Sequence, residues 1–217
     1  MRFEPQILAS CKRLAAKRIL QSASDSFSAR IPCQNRMLFA TGLRNWERIE
    51  IHDLRSISLH ETGDASAVHC AIYKTRTDAG AIALARTRGA SLLVGFGGIL
   101  PTLFDEQARH LGAPVGPVGS STAGYEELNR ALARGDNALL FGGHLLCLGM
   151  TCERVVFNTE LFEKCAQAYA IARASGQRIH HIPWWVRLIA KRRLLKDEFR
   201  AARSFSVGLV PENIGGY

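Results

Sequence analysis

Tyr73-Lys74-Thr75-Arg76-Thr77-Asp78-Ala79-Gly80-Ala81-Ile82-Ala83-Leu84-Ala85 reads as a helix end, a polar turn and then an unbroken apolar run. The run from Gly80 to Ala85 shows none of the alternation of a half-exposed strand, so it predicts a strand covered on both faces. Just upstream, Ala65 to Lys74 places Val68, Ile72 and Tyr73 on the inward face of a helix.

Toward the N-terminus, residues 5–21 repeat apolar positions at helical spacing (Ile7, Leu8, Cys11, Leu14, Ala15, Ile19). Phe27 to Ile31 then alternates like a strand, and Arg36 to Ala40 reads as its hairpin partner, stopped by Thr41-Gly42. A further strand is expected near Leu54 to Leu59. Toward the C-terminus, Ala90 to Val94 reads as a short helical or extended piece, and Gly95-Phe96-Gly97-Gly98 as a flexible loop. Pro114 to Gly124, with Gly119, Ser120 and Ser121, reads as a loop, and Tyr125 to Arg134 as a helix. Ala138 to Phe141 and Leu145 to Leu148 are apolar strands around Gly142-Gly143-His144. Thr151 to Ala174 is the longest helical pattern, and Pro183-Trp184-Trp185 opens a final basic helix. Helices and strands mix without a regular β-α-β rhythm, so the expectation is one α/β domain with a mixed, largely antiparallel sheet.

The chain has 217 residues, of which 47% are apolar and 22% charged, which suits one folded domain and excludes a disordered chain. Its apolar runs fall short of a membrane span. The first residues show no secretory pattern, so a cytoplasmic location is expected. A formal charge of +9 suits an anionic partner: nucleic acid, a membrane face or a phosphorylated metabolite. Much of that surplus lies between Arg187 and Arg203, interleaved with Trp185, Leu188, Ile189, Leu194, Leu195 and Phe199. Such a stripe is expected to pack on its own domain or a neighbouring subunit, with nucleic-acid or membrane binding as the alternative. The six cysteines are scattered, as reduced and buried residues would be.

Three segments carry a family resemblance: Asp25-Ser26-Phe27-Ser28-Ala29-Arg30, Phe39-Ala40-Thr41-Gly42, and the Tyr73–Ile82 stretch quoted above. With the paired strands at Ala138 to Thr151 and the long helix after them, their order from about Leu8 to Ala174 resembles the class II aldolase/adducin family. The resemblance implies a three-layer α/β/α domain over residues 1–176. It leaves residues 177–217 as a basic amphipathic helix and tail packed on the domain or a subunit interface, in a homo-tetramer. It also implies zinc-assisted carbon–carbon cleavage, with three histidines on the ion and a glutamate moving protons. On this sequence, the family's two H-x-H positions fall on Leu84 and Arg86. The histidine of its N-H-G falls on Gly143, one residue before His144, and its glutamate falls on Ala65, after Gly63-Asp64.

Leucine cannot ligate zinc, and arginine brings a fixed cation. The expectation is therefore a site without metal or other cofactor, zinc entering only if the site has been rebuilt. His144 is read either as an acid or base near neutral pH or as a loop histidine bonded to backbone. His69 is a second catalytic candidate, or a residue that packs and hydrogen-bonds behind the site. Arg86 is placed to grip a carboxylate or phosphate, or to form a surface ion pair. Ser28, Thr41 and Gly42 match positions near the family's phosphate pocket. His110 is expected at the surface, and the adjacent His180 and His181 point apart and are not expected to share a metal. Two functions follow: a degenerate aldolase homologue binding a small anionic metabolite or a partner, or an active lyase, epimerase or related enzyme using His144, His69 and Arg86.

Overall fold

The apolar run after Gly80 forms β4 (Ala81–Ala85), the central strand of a seven-stranded sheet, in a computed structural model that describes residues 3–61, 65–112, 114–118, 122–176 and 178–212. Gly63-Asp64 and Gly119-Ser120-Ser121, both singled out above, lie outside the described residues. In chain order the elements before β4 are α1 (Glu4–Ala16), β1 (Ser26–Ile31), β2 (Arg36–Thr41), β3 (Arg55–Ser58) and α2 (Ala67–Thr75). After it come α3 (Arg88–Val94), α4 (Asp105–His110), β5 (Pro117–Val118), α5 (Thr122–Ala133), β6 (Ala138–Phe141), β7 (His144–Gly149), α6 (Cys152–Ala174) and α7 (Trp184–Ser206). The sheet runs β3-β2-β1-β4-β7-β6-β5, antiparallel throughout except for the parallel pair β5–β6.

Side-chain alternation along β4 builds the three layers. Ala81, Ala83 and Ala85 face α1 and the start of α6, packing with Ile7, Cys11, Leu14 and Val155. Ile82 and Leu84 point to the opposite face, which α2 and α5 cover with Ile72, Tyr73, Leu128 and Leu132. On β7, Leu146 and Leu148 join that second face, while Leu145 and Cys147 pack with Leu93, Phe162 and Cys165 of α3 and α6. A strand buried on both faces has no polar side to mark its register in the sequence, which explains the unbroken run. Gly80 is required by close approach: a Cβ there would sit 2.1 Å from the Met150 carbonyl oxygen.

The helix ends are set locally. Thr151 accepts a hydrogen bond from the Arg154 amide (3.1 Å) to start α6, and Thr87 accepts one from Ala90 (3.1 Å) to start α3. The segment left as helical or extended is thus helical, and begins at Arg88. Three other expectations are corrected. The span Pro114 to Gly124 contains β5, whose pairing to Leu140 and Phe141 is a tertiary contact, and α5 begins at Thr122 rather than Tyr125. His110 is buried, its Nδ1 2.8 Å from Arg154 Nη1 and its ring edge-on to Phe157. A guanidinium only donates, so His110 accepts in its neutral form, and burial pushes its pKa down to about 4. Cys33 is exposed in a turn with φ 58°, while the other five cysteines are buried and free.

The basic tail forms α7 as expected, packed against α4. Its packed side, however, is Ala190, Leu194, Asp197, Glu198 and Ala201. Of the six apolar residues expected to pack, only Leu194 is buried. No helix among the described residues is long and apolar enough to cross a membrane.

Candidate functional site

Antiparallel pairing collects the sequence-selected residues at one end of the sheet. Ser26 at the start of β1 pairs with Thr41 at the end of β2 and with Leu84 near the end of β4. Ala85 pairs with Leu145, next to His144 at the start of β7. The turn before β1, the Thr41-Gly42 corner, the exit of β4 and the β6–β7 hairpin therefore share this end.

Asp25 organises it. The residue is fully buried, and its Oδ2 accepts from the Gln21 and Ser22 amides at 2.7 Å each, while Oδ1 accepts from the Arg86 amide at 2.9 Å. One carboxylate thus satisfies three backbone donors and ties the exit of β4 to the entry of β1, in the charge-assisted bonds that are the stronger kind. Thr41 Oγ1 donates to the Asp25 carbonyl (3.0 Å), the Gly42 amide to Ala23 (3.1 Å) and Trp46 Nε1 to Ser22 (3.1 Å). Gly42 has φ 78° and open space beside it. Thr41 Oγ1 and the Gly42 amide therefore spend their donors on holding the turn.

Arg86 leaves the sheet directly from the pinned amide. Its guanidinium is exposed and has no hydrogen bond or ion pair among the described residues. Leu84, two residues earlier, is half-buried against the α2–α5 layer. His144 follows the Gly142-Gly143 turn, whose φ values of 57° and 79° suit a tight hairpin and strain any residue with a Cβ. Its Nδ1 lies 3.2 Å from the Gly142 carbonyl and its Nε2 3.4 Å from the Ser24 hydroxyl. With the proton on Nδ1 donated to Gly142, Nε2 is the acceptor that faces Ser24. The loop reading of His144 is what the contacts show, with one nitrogen bonded to backbone and the residue half-exposed.

Ser28 and His69 lie beneath that end, inside the fold. Both are fully buried between β1 and α2, where His69 Nδ1 contacts Ser28 Oγ (2.7 Å) and Nε2 contacts Ser26 Oγ (2.9 Å). Ser28 Oγ also meets the Tyr73 hydroxyl at 2.9 Å, and Phe39 packs edge-on to the His69 ring. Burial pushes His69 down to about 3 and Tyr73 up, so both are neutral. The polar atoms of Ser28 and His69 engage one another beneath the sheet and are not turned to the open end. Among the described residues, no three His, Cys, Asp or Glu side chains converge as a metal site.

Two features had no clear sequence signal. Arg76, from the quoted stretch, is buried and holds the opposite end of the sheet. Its Nε and Nη2 donate to Asp78 (2.8 and 2.7 Å), Nη1 to the Asp136 carbonyl (2.9 Å) and Nη2 to Asn137 Oδ1 (2.8 Å). It is also 2.9 Å from Glu198 of α7, an ion pair without hydrogen-bond alignment. Burial raises the Glu198 carboxyl to about 7, against the lowering by Arg76. At that same end lies a cleft of about 720 Å³ between Phe3, Gln6, Arg30, Met150, Cys152 and Phe205. Shape alone would favour it as a ligand site. Its arginine, however, donates to the Ala79, Tyr73 and Arg76 carbonyls, and none of the sequence-selected residues lines it.

Comparison with known proteins agrees with this fold. Residues 5–170 match the family described as Class II Aldolase and Adducin N-terminal domain. Among solved structures, an L-fuculose 1-phosphate aldolase aligns with TM-score 0.74 at 20% identity, covering 89% of this chain and 96% of that one. The l-fuculose-1-phosphate aldolase from Thermus thermophilus aligns at 0.68 and 20% identity, covering 80% and 95%. An aldolase II superfamily protein from Pseudomonas syringae aligns at 0.70 and 19% identity, covering 96% and 94%. No curated protein matches the sequence.

Proposed function

The chain belongs to the class II aldolase and adducin family, and on that premise we propose that it binds a small anionic ligand, of sugar-phosphate or hydroxy-acid type, at the sheet end around Arg86. The observation that carries this reading is the exposed Arg86 guanidinium, without a hydrogen bond or ion pair among the described residues and rooted in an amide that Asp25 holds fixed. An arginine offers five donors in a planar fork suited to carboxylate or phosphate. The Gly42 corner and Ser24 stand at the same end of the sheet, and the similar proteins named as fuculose-phosphate aldolases act on a phosphorylated substrate. A zinc ion does not fit the donor set here: Leu84 offers no lone pair, Arg86 repels a dication, and His144 is a single ligand. The guanidinium is therefore the group that would recognise the ligand.

The test is calorimetric titration of sugar phosphates and hydroxy acids into wild type and Arg86→Leu. A charged hydrogen bond lost with the side chain should weaken binding by about 1.5–3 kcal/mol. Equal binding by both proteins, or binding by neither, overturns the reading.

A second reading, an aldehyde-lyase or epimerase with a rebuilt site, draws on His144, whose Nε2 lies beside the Ser24 hydroxyl at the same edge. It requires His144 to exchange a proton with substrate. Turnover of a hydroxylated carbonyl compound that disappears in His144→Ala, with about one zinc per chain lost in that variant, would favour it. Absence of both favours the binding protein.

A further inference from the structure

The outward face of α7 is a built surface. Trp184, Leu188, Leu195 and Phe199 recur at spacings of four, seven and four, which puts them on one side of the helix. They are 68%, 43%, 44% and 71% exposed, and Trp185 beside them is 54% exposed. Arg192, Arg193, Lys196 and Arg203 follow along one flank of this stripe, exposed and without an ion pair among the described residues. The two acids of α7 are turned the other way: Asp197 pairs with Arg109 and Glu198 with Arg76, and both are buried. The outward face therefore carries apolar groups and cations but no carboxylate.

We propose that this face docks the protein on an anionic phospholipid surface. An apolar stripe flanked by cations is the pattern of a helix lying in the membrane plane, with its apolar side entering the headgroup–acyl boundary. The two tryptophans at its start are the residue type enriched at that depth. Charge complementarity selects this occupant. A two-fold pairing with a second copy would set the Arg192–Lys196 cations against themselves, and a head-to-tail contact with a second copy is an outcome of the test below. A nucleic acid would satisfy the cations, but gives the exposed Leu188 and Leu195 no apolar partner. The anchor is firm, because the opposite side of α7 is fastened to the domain through Arg76, Arg109 and Asp136, the last by Lys191 at 3.0 Å.

Flotation of the full chain with phosphatidylcholine vesicles, with and without phosphatidylglycerol, tests this. Wild type should float only with the anionic vesicles and detach at high salt. Of the three tryptophans, Trp46 is buried, so a blue shift of emission on vesicle addition reports Trp184 and Trp185. The triple variant Arg192→Gln, Arg193→Gln, Lys196→Gln should bind about a hundredfold more weakly, at about fivefold per cation. Leu188→Glu with Phe199→Glu should abolish the blue shift. These side chains are exposed, so unchanged circular dichroism and melting should accompany both variants. The proposal is overturned by absence of flotation with anionic vesicles, or by undiminished flotation of the triple variant. It is equally overturned by binding of an RNA oligonucleotide without vesicle binding, or by shielding of Trp184 and Trp185 from iodide in an oligomer of the protein alone.

Discussion

Asp25 concentrates the stability of the candidate site in one side chain, since three amides point at its carboxylate from inside the fold. Asp25→Ala would orphan all three, and the expected loss is about 3 kcal/mol or more, read from the urea midpoint. Asp25→Asn keeps one acceptor and turns an amide group toward a donor, for a loss of about 1–2 kcal/mol. A negligible effect of Asp25→Ala would show that the carboxylate does not hold the exit of β4. His69 supplies a test of a different kind. Its pKa falls from 6.5 free to about 3 in the fold because the buried ring cannot take up a charge. The unfolded chain then binds the proton more readily, so the stability owed to neutral His69 is complete above pH 6.5 and is lost as pH falls toward 3. The stability advantage of wild type over His69→Gln should shrink across that window in denaturation series at stepped pH. A constant difference would show that the ring is not held neutral.

Among the elements, α7 buries two carboxyl groups, Asp197 and Glu198, against the domain. Glu198 titrates near 7 in the fold against 4.5 free, so its folded pKa is raised and the native state holds the proton more tightly. Its contribution is complete below pH 4.5 and is lost as pH rises through 7. Glu198→Gln resembles the protonated residue and should gain in melting temperature relative to wild type as pH rises from 4.5 to about 8. The reverse trend would mean that pairing with Arg76 outweighs burial. The elements themselves were legible where local chemistry decides them: the Gly80–Ala85 run, the hairpin stopped at Thr41-Gly42, and the α6 and α7 patterns all appear within a residue or two of their expected bounds. Where long-range contacts decide, the sequence was mute. α4 has only six residues, and β5 exists by pairing with Leu140 and Phe141. The site is of the second kind. Strand order brings Thr41, Gly42, Arg86 and His144 to one end, a juxtaposition set by long-range pairing. The side of β1 that Ser28 faces, and the burial of His69 behind it, follow from how α2 packs.

For the whole molecule, one alternation along β4 separates two cores and carries a fixed cation to the edge where they end. That edge combines a guanidinium, a half-exposed imidazole and a glycine corner on a chain of net charge +9, so the proposed anion would meet charge and hydrogen-bond donors there. The two ways of attracting an anion, an arginine or a bound dication, respond oppositely to a chelator. The direct measurement is titration of a sugar phosphate into the full chain with EDTA and then with added zinc, at low and high salt. Recognition by Arg86 predicts one affinity with and without the chelator, weakened by salt. Binding that vanishes in EDTA and returns with zinc would contradict it.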